Sequence, residues 1–309
     1  MGSAVSYWRV RILVTNDDGV HAPGLGALTR ELARWAAAGS AGDDRQVVVV
    51  APLANHSGAS AAVGTVYERD SIAYRAVPIE GAAGVPSFGL DASPALSVIV
   101  GMLGAFGPRP DLIVSGINLG VNVGRSVLHS GTVGAALTGA QLGASGLAVS
   151  MRSGVEPEPW DTAAVLAVGL LEVLAQAPHR TVFNLNVPAL PLGELRGVRR
   201  GRVGPAGIIK SAHDTSYPGT GPAARGDRIS GGPHTGGEPE EGEVRLTLGG
   251  AVPQLGDVGD EDPEDDAALV GAGFASLTAL AGVREDMAEG PAEAVRAALD
   301  HLRQALVPG

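Results

Sequence analysis

Asp17 and Asp18 stand side by side one residue beyond the apolar run of residues 10–15, and Gly19 follows them at once. Adjacent carboxylates repel each other unless a cation or hydrogen bonds offset their charge. For the pair alone, two readings are open: half of a cation site, or one helix cap beside a solvated neighbour. Three further stretches bear on the choice. Asn55 and Ser57 follow the apolar run 46–52, Asn118 and Asn122 follow the run 111–116, and Ser130, Gly131 and Thr132 open a helical stretch. Carboxylates, hydroxyls and carboxamides, with no cysteine in the chain, make an oxygen donor set that suits magnesium or manganese better than zinc or copper. A helix start with free N–H groups suits phosphate. His21 and His129 lie close to these stretches in sequence and are candidates for moving a proton to a leaving group.

The elements that must position these residues follow from hydrophobic pattern. Residues 10–15, 46–52, 111–116, 146–151 and 181–188 are short apolar runs rich in β-branched residues, as expected of parallel strands buried on both faces. Helical patterns lie between them: Leu25, Leu28, Leu32 and Trp35 recur at helical spacing between Pro23 and Gly39, and further patterns cover 94–106, 132–142 and 160–176. This alternation predicts an α/β fold, a Rossmann-like, doubly wound, mostly parallel sheet. In such a sheet, ligands bind beyond the carboxyl ends of the strands, where all the candidate residues fall.

After about residue 190 the character changes. Residues 1–190 read as the core and 191–309 as an extension, with a Gly/Pro-rich loop over 213–243, strands at "EVRLTLGG" and "GFASLTAL", an acidic run "GDEDPEDDAALV", and a terminal helix over 291–306. With 309 residues, 45% of them hydrophobic, the chain can bury a large core. A net charge of −11 argues against a basic groove for duplex nucleic acid. The N-terminus lacks an apolar signal region and no apolar stretch is long enough to span a membrane, so a cytoplasmic location is expected.

Two other uses of an early acidic pair fail on the residues. A haloacid-dehalogenase phosphatase needs a nucleophilic Asp two positions before a second Asp, where this chain has Asn16. A receiver domain needs an Asp at the end of a central strand and a later Lys; "LIVSGIN" has no Asp, and Lys210 is the only lysine. Nor is "TNDDGVHAPG" a dinucleotide fingerprint.

The segments "ILVTNDDGVHAPGLGAL", "VVVVAP…SGAS", "DLIVSGINLGVNVG", "HSGTVGAALTGAQLG" and "FNLNVP" occur here in an order that resembles the SurE family of survival proteins. The resemblance implies a metal-dependent 5′/3′-nucleotidase with one divalent ion per subunit, Mg2+ or Mn2+, acting on nucleoside monophosphates. It implies metal ligation by Asp17, Asp18, Ser57 and Asn118. Asp17 or Asp18 would be the general base, and phosphate-side contacts would come from Asn16, Asn122, Ser130, Gly131 and Thr132. It also implies a homodimer or homotetramer whose subunits exchange C-terminal segments.

The chain departs from the family pattern at three places. Leu53 and Ala54 stand where Asp-Arg is usual, Leu96 stands where an acid is usual, and an aromatic segment before the C-terminal strand is missing. The departures bear on the leaving group more than on hydrolysis. They leave room for a phosphatase of another phosphorylated intermediate, or for an inactive nucleotide-binding regulator.

Overall fold

The structure, a computed structural model, describes residues 9–64, 66–68, 70–205, 209–214, 244–248 and 262–283, together with Glu293. Its elements in chain order are β1 (Arg9–Thr15), α1 (Pro23–Ala37), β2 (Asp44–Pro52), β3 (Tyr74–Ala76), β4 (Ser87–Leu90), α2 (Pro94–Met102), β5 (Leu112–Leu119), α3 (Gly131–Gln141), β6 (Ser145–Met151), α4 (Trp160–Gln176), β7 (Val182–Val187), β8 (Val198–Arg200), β9 (Ile209–Asp214), β10 (Val244–Leu248), α5 (Asp266–Gly271) and β11 (Ala275–Leu280).

Nine strands form one sheet in the order β3-β4-β2-β1-β5-β6-β7-β11-β8, and β9 and β10 pair as a separate antiparallel ribbon. Within the large sheet every neighbouring pair is parallel except β3 with β4 and β7 with β11. The chain winds outward from β1 through β2 and β4, then returns to β5 and continues through β6 and β7. Its direction therefore reverses between β1 and β5, and that crevice is where a doubly wound sheet receives ligands.

The apolar runs are explained by burial on both faces. Ile12 and Val14 of β1 pack with Leu25, Leu28 and Leu32 of α1 and Leu171 and Leu174 of α4. Leu13, between them, packs on the opposite face with Val98 of α2 and Ala135 of α3, as the alternation of a strand requires. The first turn of α1 lies close against the end of β5: a Cβ built on Gly24 would stand 2.1 Å from the Ile117 carbonyl oxygen.

Several expectations shift. The strand expected over 111–116 continues to Leu119 through a cis Gly116–Ile117 peptide and a register change against β6. The helix expected over 94–106 stops at Met102, and Gly104 turns the chain with φ +92°. The short strands β3, β4, β8 and β9 are additions, and the acidic run contains the short helix α5. The large sheet continues past residue 190, since β8 and β11 belong to it. His213 and Asp214 end β9; the remainder of 213–243 and all of the expected terminal helix except Glu293 lie outside the described residues. Among the described residues, no helix is long and apolar enough to cross a membrane.

Candidate metal and phosphate site

Asp17 leaves the end of β1 into the crevice and is buried, 2% exposed. The Thr132 hydroxyl donates to its Oδ1, so this hydroxyl, expected on the phosphate, instead fixes a carboxylate. The backbone of α3 comes equally close. A Cβ on Gly131 would lie 2.7 Å from the Asp17 Cβ and 2.8 Å from its Oδ2, so only glycine lets the helix start beside the acid. Asp18 is half-buried, and its Oδ2 accepts from the Leu119 N–H at 3.2 Å. Burial pushes the Asp18 carboxyl above its ordinary range; the Leu119 N–H pulls it down and the neighbouring Asp17 charge pushes it up again.

The other two expected ligands are tied to this pair through the backbone. The His56 N–H donates to the Asp17 carbonyl at 2.7 Å, which brings the loop after β2 beside the end of β1. The next residue, Ser57, is exposed, and its N–H donates to Asn55 Oδ1 at 2.7 Å in an Asx turn. Asn118 sits beside Leu119 at the end of β5, and its amide N–H donates to the Gly120 carbonyl. That bond orients the carboxamide with its nitrogen on the Gly120 carbonyl and its oxygen available as an acceptor. The loop is further held where Ser60 donates from its N–H to the His129 carbonyl, 3.2 Å, and from its hydroxyl to the Leu128 carbonyl, 2.6 Å.

On the phosphate side, Ser130 caps α3: its hydroxyl oxygen accepts from the Val133 N–H at 3.1 Å. The Gly131 and Thr132 N–H groups precede the intrahelical ladder and carry the partial positive charge of the helix start. Asn16 is fully buried; its amide N–H donates to the Gly19 carbonyl at 2.9 Å, and its Oδ1 has no partner among the described residues. An orphaned acceptor suits a cation or water better than a phosphate oxygen. Asn122 belongs to a different network. Its N–H donates to Asn186 Oδ1 at 2.7 Å, its amide donates to Ser150 Oγ at 2.8 Å, and its carbonyl accepts from Asn184 and Asn186. His21 and His129 are exposed, and neither ring has a hydrogen-bond or ion-pair partner among the described residues.

The structure adds one residue that sequence reasoning passed over. Asp266, at the start of α5, is fully buried, and its carboxylate accepts from Gly124 N–H at 2.9 Å, Gly204 N–H at 3.3 Å and Ala267 N–H at 2.9 Å. Gly124 begins the turn that delivers His129 and Ser130 to α3, so a residue of the C-terminal segment braces the approach to the start of α3. The usable signal was an apolar stretch, "AALV", directly after an acid within a charge run.

The donor set fits a divalent cation. It consists of two carboxylates that cannot satisfy each other, a carboxamide oxygen and a hydroxyl, with an orphaned buried oxygen nearby. Among the described residues no cluster of three or more His, Asp and Glu gathers, so a cation here would depend on the neutral oxygens as well.

Residues 12–208 match the family described as survival protein SurE. The chain is 41% identical over 197 residues to 5′/3′-nucleotidase SurE of Cronobacter sakazakii, covering 63% of this chain and 70% of that one. It is 38% identical over 273 residues to 5′/3′-nucleotidase SurE of Salmonella paratyphi B, covering 88% and 90%. Among solved structures it is similar to the SurE protein from Aquifex aeolicus, with a TM-score of 0.66 and 24% identity over 94% of this chain and 99% of that one. That likeness bears on the fold.

Proposed function

The chain belongs to the SurE family of survival proteins, and from that premise we propose that it is a phosphoric monoester hydrolase acting on nucleoside monophosphates. Asp17, Asp18, Ser57 and Asn118 would hold one divalent ion, magnesium or manganese. When bound, such an ion supplies a water of lowered pKa and offsets charge on the phosphoryl oxygens. The observation that carries the reading is the buried Asp17 carboxylate set directly against the start of α3: a cation ligand and a phosphate-binding helix end share one spot.

The protein's own residues would divide the work. Thr132 and the Gly131 backbone hold Asp17 in one orientation. The N–H groups of Gly131 and Thr132 and the Ser130 hydroxyl would orient the phosphate for in-line attack, while Asn122, bonded to Ser150 and Asn186, would hold the loop before them. Asn16 would hold the turn at Gly19 and lend its unpaired oxygen to the cation side. Asp17 or Asp18 would take the proton of the attacking water, and His21 or His129 would serve the leaving group. We place the protein in the cytoplasm as a homodimer or homotetramer, with the C-terminal segments serving assembly.

The test is a manganese-supplemented assay over nucleoside monophosphates, sugar phosphates and unusual nucleotides. Nucleoside monophosphates should be hydrolysed fastest, and chelation should abolish the rate. A rate on nucleotides unaffected by chelation, or by Asp17→Asn, sinks the metal assignment.

A further inference from the structure

A cavity of about 670 Å3 opens by the carboxyl ends of β2 and β4, within the range of roughly 300–1,000 Å3 usual for small-molecule sites. His56 forms part of its wall, and the same residue's N–H is the one bonded to the Asp17 carbonyl. The cavity therefore starts one residue before Ser57. Ala59 and Ala62 continue the wall, and Ser93, the cap of α2, donates its hydroxyl to the Ala62 carbonyl, which ties that wall to α2.

The lining has a definite chemistry. Tyr74 and Phe106 both line the cavity and meet edge to face with centroids 5.3 Å apart. Tyr74 is nevertheless 60% exposed, a large ring surface on an edge strand. Asp70 and Asp91 supply carboxylates to the same lining. Aromatic and aliphatic walls favour a flat apolar group. Carboxylates accept hydrogen bonds from hydroxyls and amino groups and repel a second phosphate.

We propose that this cavity takes the nucleoside of the substrate, the base against Tyr74 and Phe106 and the sugar hydroxyls toward the carboxylates, while the phosphate is held at Asp17 and the start of α3. The assignment rests on the phosphohydrolase reading above and gives it a leaving-group site. It makes nucleoside monophosphates better substrates than small sugar phosphates, because the ring surface is used by a base.

The test uses the full-length, manganese-loaded protein with adenosine, AMP and inorganic phosphate as probes. In the wild type adenosine competes with AMP. Ala62→Trp fills the cavity from an exposed wall position, and Tyr74→Ala removes the exposed ring; neither residue belongs to the metal or phosphate site. Both variants should raise the adenosine Ki and the AMP KM about tenfold, the scale of one lost base-stacking contact. Inorganic phosphate Ki and kcat should stay within about twofold, because only leaving-group binding has changed. Unfolding midpoints matched to the wild type exclude a folding defect, and Tyr74→Ala decides alone if Ala62→Trp does not fold. An unchanged adenosine Ki in a folded, active variant overturns the cavity assignment and leaves phosphate hydrolysis standing. Failure of the wild type to hydrolyse any phosphomonoester overturns the phosphohydrolase reading, and this assignment with it.

Discussion

At the carboxyl ends of β6 and β7, Ser150, Asn184 and Asn186 hydrogen-bond around Asn122, whereas at the ends of β1 and β5 Asp17 and Asp18 lie next to each other and bond to different partners. Both clusters are polar groups placed at one edge of one sheet. Amides carry donors and acceptors together, so the first cluster closes on itself; of its side-chain atoms only Asn184 Oδ1 is buried without a partner. Carboxylates only accept, so the second cluster stays open and calls for a cation from outside. The difference separates a joint that holds a loop from the cluster to which we assign a cation.

The largest effect should come from making the open cluster resemble the closed one. Asp17→Asn should lower metal-dependent hydrolysis by about a hundredfold or more, beyond what loss of a supporting residue costs. Its unfolding midpoint without added cation should be no lower than that of the wild type, since a like-charge contact has gone. Gly131→Ala leaves both charges in place but drives a methyl into Asp17. A displacement of about 1 Å at such a site costs roughly a hundredfold in kcat/KM, measurable with a folded variant.

Asp266→Ala attacks the support of the open cluster. It strands the N–H groups of Gly124 and Gly204, at about 1–3 kcal/mol for each buried donor left unpaired. The inorganic phosphate Ki should rise while manganese affinity is kept, and Asp266→Asn should restore part of the loss. Asn186→Ala opens the closed cluster instead. It should lower stability by about 1–3 kcal/mol in denaturant unfolding with kcat nearly unchanged, since the role assigned to that cluster is holding a loop.

The smallest effect is one of pH. Burial raises the Asp266 carboxyl above its ordinary 3.8, against the pull of three N–H groups. A raised acid contributes stability that is fully present below 3.8 and is lost as pH climbs through its folded value. The wild-type unfolding midpoint should therefore fall relative to that of Asp266→Asn over that climb. Parallel midpoints across the range would show that Asp266 titrates as it does in the unfolded chain.

The comparison also explains what could be read in advance. β1, β2, β5, β6 and β7 announce themselves because each is largely buried on both faces and so mostly apolar, the two buried asparagines of β7 being among the exceptions. Asp17 and Asp18 stand out because charge follows such a run after a single asparagine. β3 and β8 gave no such signal: both are three-residue strands with every residue exposed, so nothing in their composition is constrained by a core. Asp266 was hidden for the opposite reason. Its acidic neighbours in "GDEDPEDDAALV" suggest solvent, and only the packing of α5 under the turn at Gly124 takes Asp266, and with it most of Asp265, out of water. The spending of the Thr132 hydroxyl on Asp17 is likewise set by how α3 meets β1, which spacing along the chain does not encode.

The bond from Gly124 to Asp266 spans 142 positions of sequence. A ribosome therefore releases every residue of the proposed cation and phosphate site well before it releases the acid that braces the turn at Gly124. Until α5 emerges, the nascent chain can hold the strands β1 to β7 with the turn before α3 secured at its end by Ser60 and loose at its start, Gly124. A chain stopped before α5 would lack that brace together with β11, and with β11 the sheet partner of β8.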